Sequence, residues 1–236
     1  MQITSAMKMV SAAKLKKAQD RITQMRPYSE KLTEILQNLS SQLDGNDGKY
    51  SAERNVEKVL IIAVASNRGL CGGFNAYINK KVGTLVNDTY AGKDVEIMAI
   101  GKKVSDFWKK RDNLASQHNA IFDDLTFENV AEVAQIAMDK FANGDYDRVE
   151  LVYNQFKNAA TFITTSEQFL PVVSAVEEGA TKTNVDYIFE PGKEEILEDL
   201  IPLSLKTQVF KATLDSNAAE HGARMTAMHK ATDNAT

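Results

Sequence analysis

Apolar residues near the two ends of this chain follow one spacing, and those in the middle follow another. From residue 1 to about 43, Leu15, Ala18, Ile22, Met25, Tyr28, Leu32, Ile35, Leu39 and Leu43 recur at intervals of three and four. That spacing lines side chains along one stripe of an α-helix. A single narrow stripe is the seam of a coiled coil. Residues 194–236 read as a second long helix, with Ala219, Ala223, Ala227, Ala231 and Ala235 at every fourth position, small side chains that would admit a close partner. The two helices, far apart in sequence, are expected to pair antiparallel. A helix of about 40 residues is roughly 60 Å long at about 1.5 Å per residue, so the pair would be a rod longer than an ordinary domain needs. Pro27 and Pro202 each remove a backbone hydrogen bond and crowd the preceding turn, which predicts a kink or break near each. The stripe resumes after Pro27, favouring a kink there.

Between the helices the pattern changes. Val59 to Ala65 and Val95 to Ile100 are nearly unbroken apolar runs, as expected of parallel strands buried on both faces. Val149 to Phe156 is a third strand candidate, and a fourth runs from Thr161 through Thr165 toward Val173. Helical patterns fall between them at Ala76 to Val86, Lys102 to Arg111 and Asn129 to Phe141. The alternation predicts a three-layer α/β/α domain with a mainly parallel sheet. Turn formers in Asp44-Gly45-Asn46-Asp47-Gly48 and in Glu177 to Asn184 mark linkers. The expected division is an N-terminal shaft helix over 1–55, a central α/β domain over 56–176, a linker and foot over 177–193, and a C-terminal shaft helix over 194–236. With 236 residues, the chain can bury one sizeable core but is short for two full domains.

Charge adds one asymmetry. The formal net charge is -4, yet residues 1–31 hold seven basic against two acidic residues, so the first helix is locally about +5. A basic helix suits nucleic acid, an anionic membrane or an acidic protein surface, or is simply a solvated face. No aromatic residues interleave its lysines, which ranks nucleic acid last. The one cysteine, Cys71, has no intramolecular disulfide partner and no secretory signal precedes the first helix, so a reducing compartment is expected. No apolar run approaches the ~20 residues that span a bilayer, so membrane association would come through partners.

The stretch closest to chemistry is Ser66-Asn67-Arg68-Gly69-Leu70-Cys71-Gly72-Gly73-Phe74-Asn75, between the first strand and a helix. Glycines at such a turn can let a phosphate approach a helix N-terminus, and a nucleotide-dependent α/β enzyme using Gly69 to Gly73 is the alternative reading. The spacing fits neither G-x-G-x-x-G nor G-x-x-x-x-G-K-S/T, so a tight turn packing helix against sheet is the better account of Arg68, Gly69, Cys71, Gly72 and Gly73. Cys71 reads as a small buried hydrophobe rather than a nucleophile, although Arg68 and a helix N-terminus would lower a thiol pKa. His118, His221 and His229 lack metal-ligand spacing. The pairs Asp123-Asp124, Glu177-Glu178 and Glu194-Glu195 read as solvated surface.

Three separated motifs resemble one family. Met7-Lys8-Met9-Val10-Ser11-Ala12-Ala13-Lys14-Leu15, the turn from Arg68 to Asn75, and Ala223-Arg224-Met225-Thr226-Ala227-Met228 with Ala231-Thr232-Asp233-Asn234 closely resemble gamma subunits of F-type ATP synthases, in collinear order over essentially the whole chain. The resemblance implies a central-stalk rotor. The helix pair would stand inside a hexamer of alternating alpha and beta subunits, with the globular domain below, beside the epsilon subunit and the membrane c-ring. Rotation driven by proton or sodium flow would then force the beta sites through their conformations. The gamma subunit itself would carry no catalytic residue, cofactor or metal, would be present in one copy per complex, and would bind no nucleic acid. It would lie peripherally on the cytoplasmic face of a bacterial inner membrane, or on the matrix face of a mitochondrial one.

By the same resemblance, Met7, Lys8, Glu220 and Arg224 match positions meeting the beta subunits, and Tyr187 and Glu190, in Asp186-Tyr187-Ile188-Phe189-Glu190-Pro191, match the foot near epsilon and the c-ring. Asn67 stands where the family usually has Asp. Measured against the family, the chain reads as a fragment lacking both outer helix ends. The plant-type insertion with its two cysteines is absent, so thiol regulation is not expected, which points to a bacterial type or a mitochondrial relative.

Overall fold

The computed structural model describes residues 2–40, 49–172 and 193–234, the side chains at 30, 33, 36–40 and 193–197 excepted. In chain order the elements are α1 (Gln2–Ser40), β1 (Lys58–Val64), α2 (Phe74–Thr84), β2 (Asp94–Ile100), α3 (Lys102–Lys109), β3 (Leu114–Gln117), α4 (Phe127–Ala142), β4 (Arg148–Asn158), β5 (Thr161–Leu170) and α5 (Lys193–Asp233). A π-helical turn at Leu85–Thr89 extends α2, and a short 3-10 turn at Asn119–Phe122 precedes α4.

The sheet order is β3-β2-β1-β4-β5. The first four strands are mutually parallel, and β5 runs antiparallel to β4. Because successive strand residues point to opposite faces, the apolar run of β1 feeds two cores. Leu60, Ile62 and Val64 join Met98 and Ile100 of β2 under α4 and α5, where Val130, Ala134, Met138, Phe141 and Val209 are buried. Val59, Ile61 and Ala63 join Ile97 and Ala99 under α2 and α3, through Ile78, Val82, Val104 and Trp108. Each fully buried aliphatic or aromatic side chain stabilises by about 1.5–3 kcal/mol, which is why strands apolar on both faces settle at the centre of three layers. Tyr50 is buried with the first core, and Val172 N–H donates to its carbonyl at 2.8 Å, so the chain after α1 is tied to the domain.

α1 and α5 pair antiparallel. Leu15, Ala18 and Ile22 pack on Leu214 and Ala218, and the Thr4 and Thr232 hydroxyls meet at 2.8 Å. α1 continues as helix through Pro27, and α5 through Pro202. Two details of the predicted rod change. Tyr28 is 48% exposed, whereas Ser11 and Ser29 are buried beside Leu15, Ala18, Ile22 and Leu32. The seam therefore keeps three–four spacing through Ser29, with a polar residue where an apolar one was sought. The first two of the alanine row face the domain: Ala219 and Ala223 pack against Cys71 and Phe74, and there Leu214, Ala218 and Met225 serve the seam. Leu39, Leu43, Ala235 and both predicted linkers lie outside the described side chains.

Candidate functional site

The carboxyl end of β1 enters a turn that is held from several sides. Ser66 N–H donates to Asn75 Oδ1 at 3.0 Å, and the Ser66 hydroxyl lies 2.5 Å from the Arg68 carbonyl. Asn75 Nδ2 donates to Cys71 Sγ at 3.2 Å. Leu70 and Gly72 have φ of 61° and 58°, left-handed conformations that cost little at glycine and more at leucine. Beside Gly73, a Cβ would lie 2.7 Å from Cε2 of the exposed Tyr77 ring, so the ring rests against the glycine at the opening of α2. Asn154 of β4, fully buried, donates to the Phe74 carbonyl at 3.0 Å and accepts from the Thr164 hydroxyl at 2.7 Å.

Asn67 works with both ends of its amide. Its Oδ1 accepts from Lys102 N–H at 2.9 Å, capping α3, while its Nδ2 donates to the Asn119 carbonyl at 2.8 Å. An ionised aspartate there could keep only the first bond.

α5 crosses the turn directly. Glu220 and Arg224, one helical turn apart, are 7% and 9% exposed and form an ion pair of 2.6 Å. Arg224 Nε donates to the Gly69 carbonyl at 3.2 Å, and Nη2 to the Arg68 carbonyl at 3.3 Å. Nη1 lies 3.4 Å from His221 Nδ1. Burial first, then Arg224 and Lys14, push the His221 imidazole down to about 4, so at neutral pH it is the uncharged partner that can accept. Burial lifts the Glu220 carboxyl above its ordinary value, with Arg224, Lys14 and Arg68 pulling it back. Cys71 is 1% exposed, and burial raises its thiol pKa despite Ser66 and Arg224. That suits a packing residue, not a thiolate nucleophile.

Of the residues singled out in the sequence, Arg68, Gly69, Cys71, Gly72, Gly73, Glu220 and Arg224 come together here. Met7 and Lys8 lie half-exposed on α1, the Met7 carbonyl accepting from Ser11 Oγ at 2.8 Å. Tyr187 and Glu190 lie outside the described residues. Burial lowers the His118 pKa, and His229 pairs with Asp233 at 3.2 Å. Among the described residues no cluster of His, Cys, Asp or Glu could hold a metal ion, and no helix is long and apolar enough to cross a membrane. Asp123 and Asp124 are exposed.

A second polar group escaped the sequence reading. Where the shaft leaves the sheet, Tyr153 OH donates to Glu167 Oε1 at 2.6 Å and Gln208 Nε2 to Glu167 Oε2 at 3.3 Å. Nearby, Asp215 is 3% exposed and its Oδ1 has no hydrogen-bond partner among the described residues. In sequence it is one more polar residue of a long helix. Only the sheet behind α5 reveals its burial.

A long antiparallel helix pair keyed into a three-layer domain, without an assembled catalytic constellation among its described residues, defines a shaft protein. A family model described as ATP synthase matches residues 1–236. A gamma chain of ATP synthase from Flavobacterium johnsoniae is 61% identical over 237 residues, covering all of this chain and 82% of that one. That of Chlorobaculum parvum is 43% identical over 241 residues, covering 99% and 82%. Among solved structures, the chain is similar to one in the central stalk and c-ring of the Tetrahymena thermophila mitochondrial ATP synthase, with a TM-score of 0.71, 24% identity, and coverage of 98% of this chain and 99% of that one. It is also similar to one in the Euglena gracilis mitochondrial rotor, with a TM-score of 0.67, 21% identity, and coverage of 99% and 86%. At these identities the structures speak to fold alone. The chain belongs to the ATP synthase gamma-chain family.

Proposed function

We propose that the chain is the central-stalk rotor subunit of an F-type ATP synthase, coupling ion-driven rotation to ATP synthesis while itself performing no catalysis. The observation that carries this reading is the antiparallel α1–α5 shaft gripped by the β1–α2 turn, in a chain 61% identical to an ATP synthase gamma chain. Its partners are the alpha and beta subunits around the shaft and the epsilon subunit and c-ring at the domain. There is one copy per complex, held peripherally on the cytoplasmic face of a bacterial inner membrane. Exposed Lys14, Lys16, Lys17, Arg21 and Arg26 on α1 suit an acidic sleeve, where charge complementarity orients a contact without a fixed dry interface. Met7 and Lys8, half-exposed on the same helix, are the residues assigned to the beta contact. Glu220 and Arg224 border it, but their charged groups are engaged within the chain. Against the nucleotide-enzyme alternative stands the glycine spacing at residues 69, 72 and 73, which fits neither phosphate-binding pattern.

Co-expression with the alpha and beta subunits tests the reading. The chain should co-purify with them in one copy and, once the epsilon subunit and the membrane sector are also present, support ATP-driven ion pumping, and calorimetry on the chain alone should show no stoichiometric micromolar ATP binding. Failure to co-purify, or such binding, would overturn it.

A further inference from the structure

We infer that Arg224 is the pin that makes shaft and α/β domain turn as one body, a positioning residue that acts by holding the Arg68 and Gly69 carbonyls of the β1–α2 turn. This rests on the central-stalk reading and adds to it the place where torque crosses from helix to sheet. A guanidinium has five N–H donors. In Arg224, Nε serves Gly69, Nη2 serves both Arg68 and Glu220, and Nη1 faces His221. Little of this fork is left for another subunit, and the side chain is nine-tenths buried.

Most other contacts between α5 and the domain differ in kind, and the charge-assisted one from Gln208 Nε2 to Glu167 Oε2 on β5, at 3.3 Å, reaches a side chain and not the backbone of the turn. Leu205, Val209 and Ala212 are buried in the sheet core, and Ala219 and Ala223 pack on Cys71 and Phe74. Apolar contacts of this sort resist separation but are non-directional, so they oppose sliding and twisting poorly. Of the neutral polar contacts, Ser216 Oγ to the Val64 carbonyl is 3.5 Å and Thr226 Oγ1 to the Ala159 carbonyl is 3.4 Å, both at the long limit. Arg224 alone among the described α5 side chains joins the turn by charge-assisted bonds to two successive carbonyls, a geometry that resists rotation of the helix against the sheet. Gly222 lets α5 come this close: a Cβ there would lie 2.7 Å from the Ala159 carbonyl oxygen.

Cys71, the one cysteine of the chain, is a built-in reporter because it is buried where α5 covers the turn. Arg224→Gln and Arg224→Lys are introduced into the assembled ATP synthase. Maleimide modification of the Cys71 peptide is followed by mass spectrometry, together with the ions pumped per ATP hydrolysed. Lysine keeps the charge beside Glu220 but cannot reproduce the planar fork, so both variants should behave alike. Cys71 should react roughly tenfold or more faster, as expected on losing hydrogen bonds to a charged group, and the pumping-to-hydrolysis ratio should fall. A wild-type rate and ratio in Arg224→Lys would overturn the inference. So would faster Cys71 modification with an unchanged ratio, since the turn would then have loosened without affecting coupling. If neither variant assembles, the modification rate is compared on the free chains, where an unchanged rate overturns the pin. Failure of the wild-type chain to assemble would instead count against the central-stalk reading.

Discussion

Asp215 is a carboxyl group placed where water does not reach. Burial is the main force on it and drives its pKa up to about 6, against the pull of Lys211 on its own helix and Arg26 on α1; Glu167 on β5 pushes it further up, and Phe156 N–H of β4 donates to it. In the unfolded chain the same group titrates near its ordinary value of about 3.9. The fold therefore holds the proton that the unfolded chain releases between pH ~4 and ~6, and stability falls as pH rises through that window and stays lower above it. Asp215→Asn, which keeps the shape but not the charge, should flatten this dependence and stabilise the chain at pH 7.5 by about 1–3 kcal/mol. Urea unfolding of the full chain at several pH values from 4.5 to 8 reads this directly. A less stable Asn variant at pH 7.5 would mean that attraction to Arg26 and Lys211 outweighs the desolvation. Cys71, 1% exposed, is the small buried side chain that the sequence suggests, whereas Gly72 serves through its φ of 58° and has open space where a Cβ would stand. Asp215 and Asn67 could not be read from sequence, because their roles come from β4, β5 and the Asn119 carbonyl, all remote in sequence.

Elements with strong internal patterns were legible, and those made by their neighbours were not. The apolar runs of β1 and β2 and the amphipathic stripe of α4 stand nearly where the sequence places them. β3 was missed: Leu114-Ala115-Ser116-Gln117 has one large apolar residue and no β-branched one, and it becomes a strand by pairing with β2. The three–four stripe of α1 was legible too, but Ser29 occupies a seam position that an apolar search assigns to Tyr28. A less visible requirement lies at Gly101, between β2 and α3. Its φ is 109°, and a Cβ there would sit 2.3 Å from the Ala65 carbonyl oxygen. The ends of the parallel strands β1 and β2 lie side by side at this point, where Ala65 N–H donates to the Ile100 carbonyl at 2.8 Å and Lys103 N–H to the Ser66 carbonyl at 3.0 Å. Gly101→Ala would have to separate the two strand ends or abandon the α3 cap. A cost of about 2–4 kcal/mol is expected from backbone strain plus overpacking, read as a clear drop in thermal midpoint. Gly83, by contrast, has open space around its missing Cβ, so a Gly83→Ala protein melting as low as Gly101→Ala would show that the close approach to the Ala65 carbonyl is not the cause.

Across the whole molecule the two shaft helices are unequally held. α5 has the sheet and α4 on one side, the turn on another and α1 on a third. α1 rests on α5 through Leu15, Ala18 and Ile22, with Leu125 packed beside them, the Thr4 and Thr232 hydroxyls meeting at 2.8 Å and Arg21 donating to the Leu125 carbonyl at 3.3 Å. About one buried side chain per turn, each giving at most about 1.5–3 kcal/mol, is less than the entropy of ordering a turn of about 3.6 residues at about 1–2 kcal/mol per residue, so this seam alone does not hold α1 as firmly as α5 is held. On its outer side Ile3, Met9 and Val10 are exposed, apolar surface that the free chain leaves in water. Local opening follows such differences in contact. In the free chain, amides of residues 2–26 should exchange with deuterium at least roughly tenfold faster than those of residues 209–220, a gap of about 1.4 kcal/mol in opening free energy. On the proposed central-stalk role, the gap should narrow within the assembled complex, because the subunits proposed to surround the shaft would cover the side of α1 that α5 does not. Equal protection of the two helices in the free chain would mean that the rod is rigid before assembly and that the hexamer adds a bearing, not a support.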